Sequence, residues 1–215
     1  TTGIVSNASI TDATAAAFYA KTPDPLDYQN LARQLVEGAD VSVLLGGGGA
    51  DLLPDSKGGR RTDGRDLILE MRNQGYDIVR NQAELESTPS WRTPKTLGLF
   101  SMGNMEFSDE FSATSTQPTL AVLVRNAIRL LQYNPRGYLL IVDAGLSGKA
   151  ATQNEGERTL KEMLALDEAD RTALLAASVA TLMTGCNQMV PPSNLKAPSL
   201  SVSALGVESI TRDSL

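Results

Sequence analysis

The sequence predicts an α/β protein: a layered, largely parallel sheet with flanking helices, extended by a long helix and a β-prone tail. Three observations predict it. Short aliphatic or β-branched runs at 41–45, 76–79, 96–100 and 138–142 alternate with stretches whose apolar residues recur at helical spacing. Glycines such as Gly38 and Gly75 close those helical stretches. The run Tyr138–Val142 is apolar throughout and ends on the carboxylate of Asp143, which reads as a central strand covered on both faces.

Taken in order, Gly3-Ile4-Val5-Ser6 opens the chain as a short strand. Thr11 or Asp12 is placed to cap a short helix over 15–20, which Thr22-Pro23-Asp24-Pro25 breaks. Tyr28, Leu31, Ala32, Leu35 and Val36 mark an amphipathic helix from about residue 26 to 37. Val41–Leu45 is the next strand and runs into four glycines, Gly46 to Gly49. That order is not GxGxxG and no GK[ST] follows, so the spacing predicts a close-packed turn rather than a phosphate cradle. After the polar loop 54–64, Asp63 is expected to cap a helix over 64–73 with Leu67, Ile68 and Met71 inward. Strands at 76–79 and 96–100 follow, then an irregular stretch over 101–117. Pro118 opens the clearest helix, with Leu120, Leu123, Val124, Ala127, Ile128 and Leu131 on one stripe. Asn134-Pro135-Arg136-Gly137 turns the chain into Tyr138–Val142, and a small-residue turn over 144–148 precedes a helix beginning near Glu155.

Composition narrows the chemistry. With 215 residues and 41% apolar content the chain can bury a substantial core. A net charge of −6 argues against nucleic acid as a partner, which would select a basic face. The single cysteine, Cys186, excludes an internal disulfide framework. There is no histidine, which removes the commonest general base and the commonest zinc ligand together. No leader precedes the opening strand and residue 1 is a threonine, as expected of a processed or trimmed chain.

Several stretches carry a family resemblance. They are Thr11-Asp12-Ala13-Thr14 with the following Ala16–Ala20 segment, the Leu44–Gly48 glycine turn, Leu97-Gly98-Leu99-Phe100 with Gly103-Asn104-Met105, and Asn134–Asp143. In this order and spacing, from residue 1 to about 168, the chain resembles the middle portion of the alkaline phosphatase family. The resemblance implies a mixed, largely parallel sheet, a zinc- and magnesium-dependent hydrolase of phosphate monoesters, and a periplasmic or secreted location. It places the nucleophilic serine and first metal-binding aspartate upstream of residue 1, and the late histidine and aspartate ligands downstream. Pro25 stands where the family has its phosphate-holding arginine. Gly148 and Thr152 stand at two zinc-ligand positions, and neither supplies a good zinc ligand. The family's zinc centre is therefore not expected.

What the resemblance retains is its magnesium-binding positions: Asp12, Thr14 and Asp143. Hard oxygen ligands of this kind suit Mg or Mn. The other reading of the same residues is local: Asp12 caps a helix and Asp143 ends a strand. Lys149 matches a position near the phosphate, or is simply solvated. Asp143, Lys149 and Cys186 are the weak catalytic candidates, with Cys186 otherwise a small core or helix-end residue.

From about residue 169 the text changes. Arg171–Cys186 (RTALLAASVATLMTGC) resembles a bacterial lipoprotein signal set in mid-chain, and its apolar run is too short to span a bilayer. It is expected to continue the helix begun near Glu155. Val190-Pro191-Pro192-Ser193 reads as a linker and 199–211 as a strand or hairpin, a tail weakly resembling the start of a late-embryogenesis-abundant (water-stress) lipoprotein. The expected organisation is thus a truncated domain at 1–168 joined to an unrelated extension at 169–215. The expected function is a degenerate, homo-oligomeric derivative without the ancestral phosphomonoesterase activity. The alternative is a repurposed metal-dependent hydrolase of activated phosphoesters or esters.

Overall fold

The computed structural model describes residues 1–90, 95–112 and 114–186. Five strands form one all-parallel sheet in the order β3-β4-β2-β1-β5, where β1 is Thr2–Ser9, β2 Val43–Gly47, β3 Tyr76–Val79, β4 Lys95–Leu99 and β5 Leu139–Asp143. The helices are α1 Ala13–Ala16, α2 Tyr28–Gly38, α3 Gly49–Leu52, α4 Leu67–Asn73, α5 Gln82–Ser87, α6 Leu120–Leu131, α7 Gly145–Thr152 and α8 Gly156–Cys186. The predicted layered α/β class is the observed one.

Strand periodicity builds the three layers. Ile4, Leu44 and Leu97 point to one face and pack with Ala32, Leu35, Leu67 and Met71 of α2 and α4. Their neighbours Val5, Val43 and Leu45 point to the other face, against Leu123, Ala127, Ile128 and Leu131 of α6. Helix α8 lies over that second face: Ala169 is buried, and Leu166, Ala173 and Ala176 pack against the same cluster. This packing runs through residue 169 without a break in the helix. The linker at 190–193 and the β-prone stretch at 199–211 lie outside the described residues. No helix among the described residues is long and apolar enough to cross a membrane.

Four expectations are corrected. The apolar run Tyr138–Val142 is not central: among the described residues β5 is an edge strand with Leu139 exposed, and the strands with neighbours on both sides are β1, β2 and β4. The turn expected at 144–148 is helix α7, whose glycines lower helix propensity and hid it. Helix α4 begins at Leu67, because its cap is Asp66, which accepts from the Leu69 N–H at 2.9 Å. Asp63 is engaged ahead of the helix instead: its oxygens accept from the Arg61 guanidinium and from the Arg65 N–H. Helix α1 spans Ala13–Ala16 and carries no side-chain cap. Thr11 donates instead to Asp51, and Asp12 pairs with Lys149.

The glycine turn is a packing device. A Cβ on Gly47 would lie 2.2 Å from the Gly103 carbonyl oxygen, and Gly48 has φ of +94°, so larger residues are excluded at both. The N–H groups of Gly48, Gly49 and Ala50 donate to the carbonyls of Gly103, Ser101 and Met102 at 2.6, 3.0 and 2.9 Å. Those three donors are thereby consumed in packing and do not point at a phosphate.

Candidate functional site

Chain order reverses between β1 and β5: the chain moves from β1 to β2 on one side and later crosses to place β5 on the other. In open α/β sheets the crevice at such a point, beyond the carboxyl ends of the strands, is where functional groups gather. Here parallel register pairs Ser6 with Asp143. The Ser6 hydroxyl donates to Asp143 Oδ2 at 2.8 Å and accepts from the Ala8 N–H at 3.0 Å. Lys149, one helical turn into α7, brings its Nζ to 2.7 Å from Asp12 Oδ2.

These groups form one electrostatic unit. Burial raises the Asp143 pKa above the usual carboxylate range, the Ser6 hydrogen bond opposes this, nearby Asp12 adds to it, and Lys149 offsets it. One ammonium thus pairs with Asp12 and offsets part of the charge of Asp143.

Three further residues hold the unit in place. Asn7 Oδ1 accepts from the Leu146 N–H at 3.1 Å, capping α7 from a neighbouring strand, because Ala144 at the helix start has no capping group. Asn7 Nδ2 donates to Glu162 of α8 at 3.1 Å, and Glu162 also accepts from the Ser108 N–H at 2.6 Å. Sequence reasoning missed Ser6, Asn7 and Glu162. The signal for Glu162 was available: it precedes Leu166, Ala169, Ala173 and Ala176 on the inward stripe of α8, where a carboxylate needs buried partners.

Of the predicted site residues, the structure brings together Asp12, Asp143 and Lys149. Thr14 does not join them: it is exposed on α1 and makes no side-chain hydrogen bond among the described residues. Cys186 is the last residue of α8, far along the chain from the crevice. Gly148 and Thr152 lie exposed on α7, and the Thr152 hydroxyl donates to the Lys149 carbonyl at 2.8 Å. Pro25 is exposed on the loop before α2. Among the described residues, no group of three or more Asp, Glu, Cys or His is arranged to hold a metal ion.

A parallel α/β sheet with acidic and basic groups at its reversal point defines the class; known proteins define the family. A family model described as alkaline phosphatase matches residues 1–185, and the chain belongs to the alkaline phosphatase family. It is 31% identical over 198 residues to the tissue-nonspecific alkaline phosphatase of Gallus gallus, covering 78% of this chain and 38% of that protein. The crystal structure of Thermus thermophilus alkaline phosphatase superposes with a TM-score of 0.69 at 31% identity, over 83% of this chain and 36% of that one. A variant of the TAB5 alkaline phosphatase with Mg bound in its M3 site has a TM-score of 0.68 at 21% identity, over 83% and 48%, a likeness of fold. The chain spans less than half the length of each of these relatives.

Proposed function

We propose that this chain is a degenerate alkaline phosphatase fold in which a lysine, rather than a metal ion, is the counter-charge beside the remaining site carboxylates, and that it lacks the family's phosphomonoesterase activity. The observation that carries this reading is the 2.7 Å contact of Lys149 with Asp12 beside Asp143. The residues at the family's zinc positions do not fit zinc: Gly148 has no side chain, and the Thr152 hydroxyl is turned to its own helix. With Pro25 in place of the arginine, no guanidinium is supplied there for a phosphoryl transition state. The expected result is turnover of an aryl phosphate at the buffer rate with zinc and magnesium added, and less than stoichiometric zinc by elemental analysis. Turnover above the buffer control that survives repurification overturns the proposal.

A second reading rests on Asp12 and Asp143 sharing one crevice. Two carboxylates with Thr14 nearby in sequence would take Mg or Mn, whose bound water would supply a nucleophile. On this reading any esterase or phosphoesterase activity falls in Asp12→Asn and in Asp143→Asn. Activity that persists in both and in chelator, but disappears in Cys186→Ser, places the chemistry at the thiol instead.

The same reading includes a homo-oligomer. Edge strand β5 leaves Leu139 58% exposed, and α8 leaves Leu160 and Leu164 each 62% exposed on one helical stripe. Light scattering at micromolar concentration is expected to give a dimer or larger. A stable monomer there removes this part of the proposal.

A further inference from the structure

We propose that the cleft between α4 and the end of β3 binds a small organic anion: a phosphate or carboxylate head group on a compact apolar body. The cleft has a volume of about 330 Å³, within the range of small-molecule sites. It is a separate feature from the Asp12–Lys149 crevice. Strand β3 is the opposite edge of the sheet, three strands from β1, so the two sites are about 14 Å or more apart at ordinary strand spacing.

Its lining divides into a floor and a rim. Ile68 and Leu69 of α4 give the floor; Ile68 is buried and Leu69 is 48% exposed, an apolar surface left open to a ligand. Lys57, Arg72 and Arg80 give the rim, with Asp66 as its only carboxylate. Lys57 Nζ lies 2.8 Å from Asp66 Oδ2, so those two charges offset one another. Asp66 is further occupied in capping α4.

Arg72 and Arg80 remain. Among the described residues neither guanidinium has a carboxylate within ion-pair distance, as is also true of Arg129 and Arg136, while Arg33, Arg60, Arg61, Arg65, Arg125, Arg158 and Arg171 each have one. At Arg80 only the backbone N–H meets a carboxylate, that of Glu84. What sets Arg72 and Arg80 apart is that both line one cleft beside an open apolar floor, on a chain of net charge −6. A guanidinium offers a planar fork of donors that matches phosphate and carboxylate oxygens, and charge complementarity therefore selects an anion. The floor selects an attached apolar group over a bare inorganic ion.

The test uses the full chain and four probes: 1-naphthyl phosphate, 1-naphthoate, 1-naphthalenemethanol and inorganic phosphate. Binding is read by calorimetry and by shifts of the Ile68 and Leu69 methyl resonances. The expected result is saturable binding of a naphthyl anion, weakened about tenfold by Arg72→Gln and again by Arg80→Gln, with the neutral alcohol and inorganic phosphate each at least tenfold weaker. Both side chains are exposed, so both variants keep the wild-type melting temperature, and Leu69→Asp provides a third variant acting through the floor. Preference between the phosphate and the carboxylate identifies the head group. The proposal is overturned by no binding at about 10 mM, by equal binding of the alcohol, or by affinity that survives both arginine variants. It is equally overturned if Lys149→Ala, and not the arginine variants, abolishes binding, or if an acidic peptide binds and the naphthyl anions do not.

Discussion

Replacing Arg61 with Met is expected to destabilise the fold by about 3 kcal/mol at neutral pH. Arg61 is 1% exposed, and its guanidinium makes four hydrogen bonds. Nε and Nη2 donate to the Asp63 carboxylate, and Nη1 donates to the carbonyls of Gln29 at 3.0 Å and Asp51 at 3.3 Å. Its own N–H and carbonyl pair with Leu53 and Asp55, so one residue ties the loop after α3 to the first turn of α2. Removing one partner of a buried charged pair generally costs about 3–5 kcal/mol. The lower end applies here because Asp63 is 38% exposed and rehydrates once released.

The pH dependence has a definite sign. The Arg61 hydrogen bond holds the Asp63 pKa below its ordinary value, with the Arg65 N–H helping and burial opposing. A carboxylate depressed in the folded state stabilises the fold above its unfolded pKa, near 4. That stabilisation is lost as pH falls through the lower folded value. The gap between wild type and Arg61→Met should therefore be constant from about pH 5 to 8 and narrow below about pH 4. Urea unfolding at neutral and acid pH measures it, and a difference under about 1 kcal/mol at neutral pH would falsify the assignment of Arg61 as a buried tie.

The same residue explains part of what the sequence hid. Asp63 and Asp66 are equally good caps on paper; in the fold Asp63 serves the buried arginine and the Arg65 N–H, and Asp66 caps the helix three residues on. Strands β1, β2 and β4 and helices α2 and α6 were legible because their periodicity decides which face is buried, and that is a local property. Edge or centre is not local. The apolar text of β5 is that of a covered strand, yet its order in the sheet depends on a crossover no window can contain. Helix α5 did carry a local signal: Asn81 accepts from the Glu84 N–H, and Glu84 reaches back to the Arg80 N–H, a reciprocal box of the Asn-x-x-Glu type. At the site, Asp12, Asp143 and Lys149 were legible through the family resemblance. Ser6 and Asn7 were not, because a polar residue at a strand end looks solvated until its partners 137 and 139 positions away are placed.

Lys149→Ala is expected to turn the crevice into a divalent-cation site. In the wild type the ammonium lies 2.7 Å from Asp12 and also offsets the charge of Asp143. A magnesium or manganese ion entering the same space would have to displace it, and two cations in one crevice repel. Without the lysine, Asp12 and Asp143 lose the ammonium that offsets their charge, and the Ser6 hydroxyl already orients Asp143. Hard oxygen donors in that state favour a small hydrated cation. If the variant binds with a dissociation constant near 0.1 mM, about 10 mM Mg or Mn stabilises it by roughly 2.7 kcal/mol, or about 5–10 °C in melting temperature. The wild type under the same conditions should shift by less than about 1 °C. Adding Asp12→Asn to the variant removes the effect, whereas Thr14→Ala leaves it unchanged, because Thr14 is exposed and joins neither carboxylate. Differential scanning calorimetry with and without metal decides the matter. Equal stabilisation of wild type and variant would mean that Lys149 does not hold the cation's place and that the native protein is itself a metal-binding one. Stabilisation of neither would mean that the two carboxylates are too far apart to share an ion.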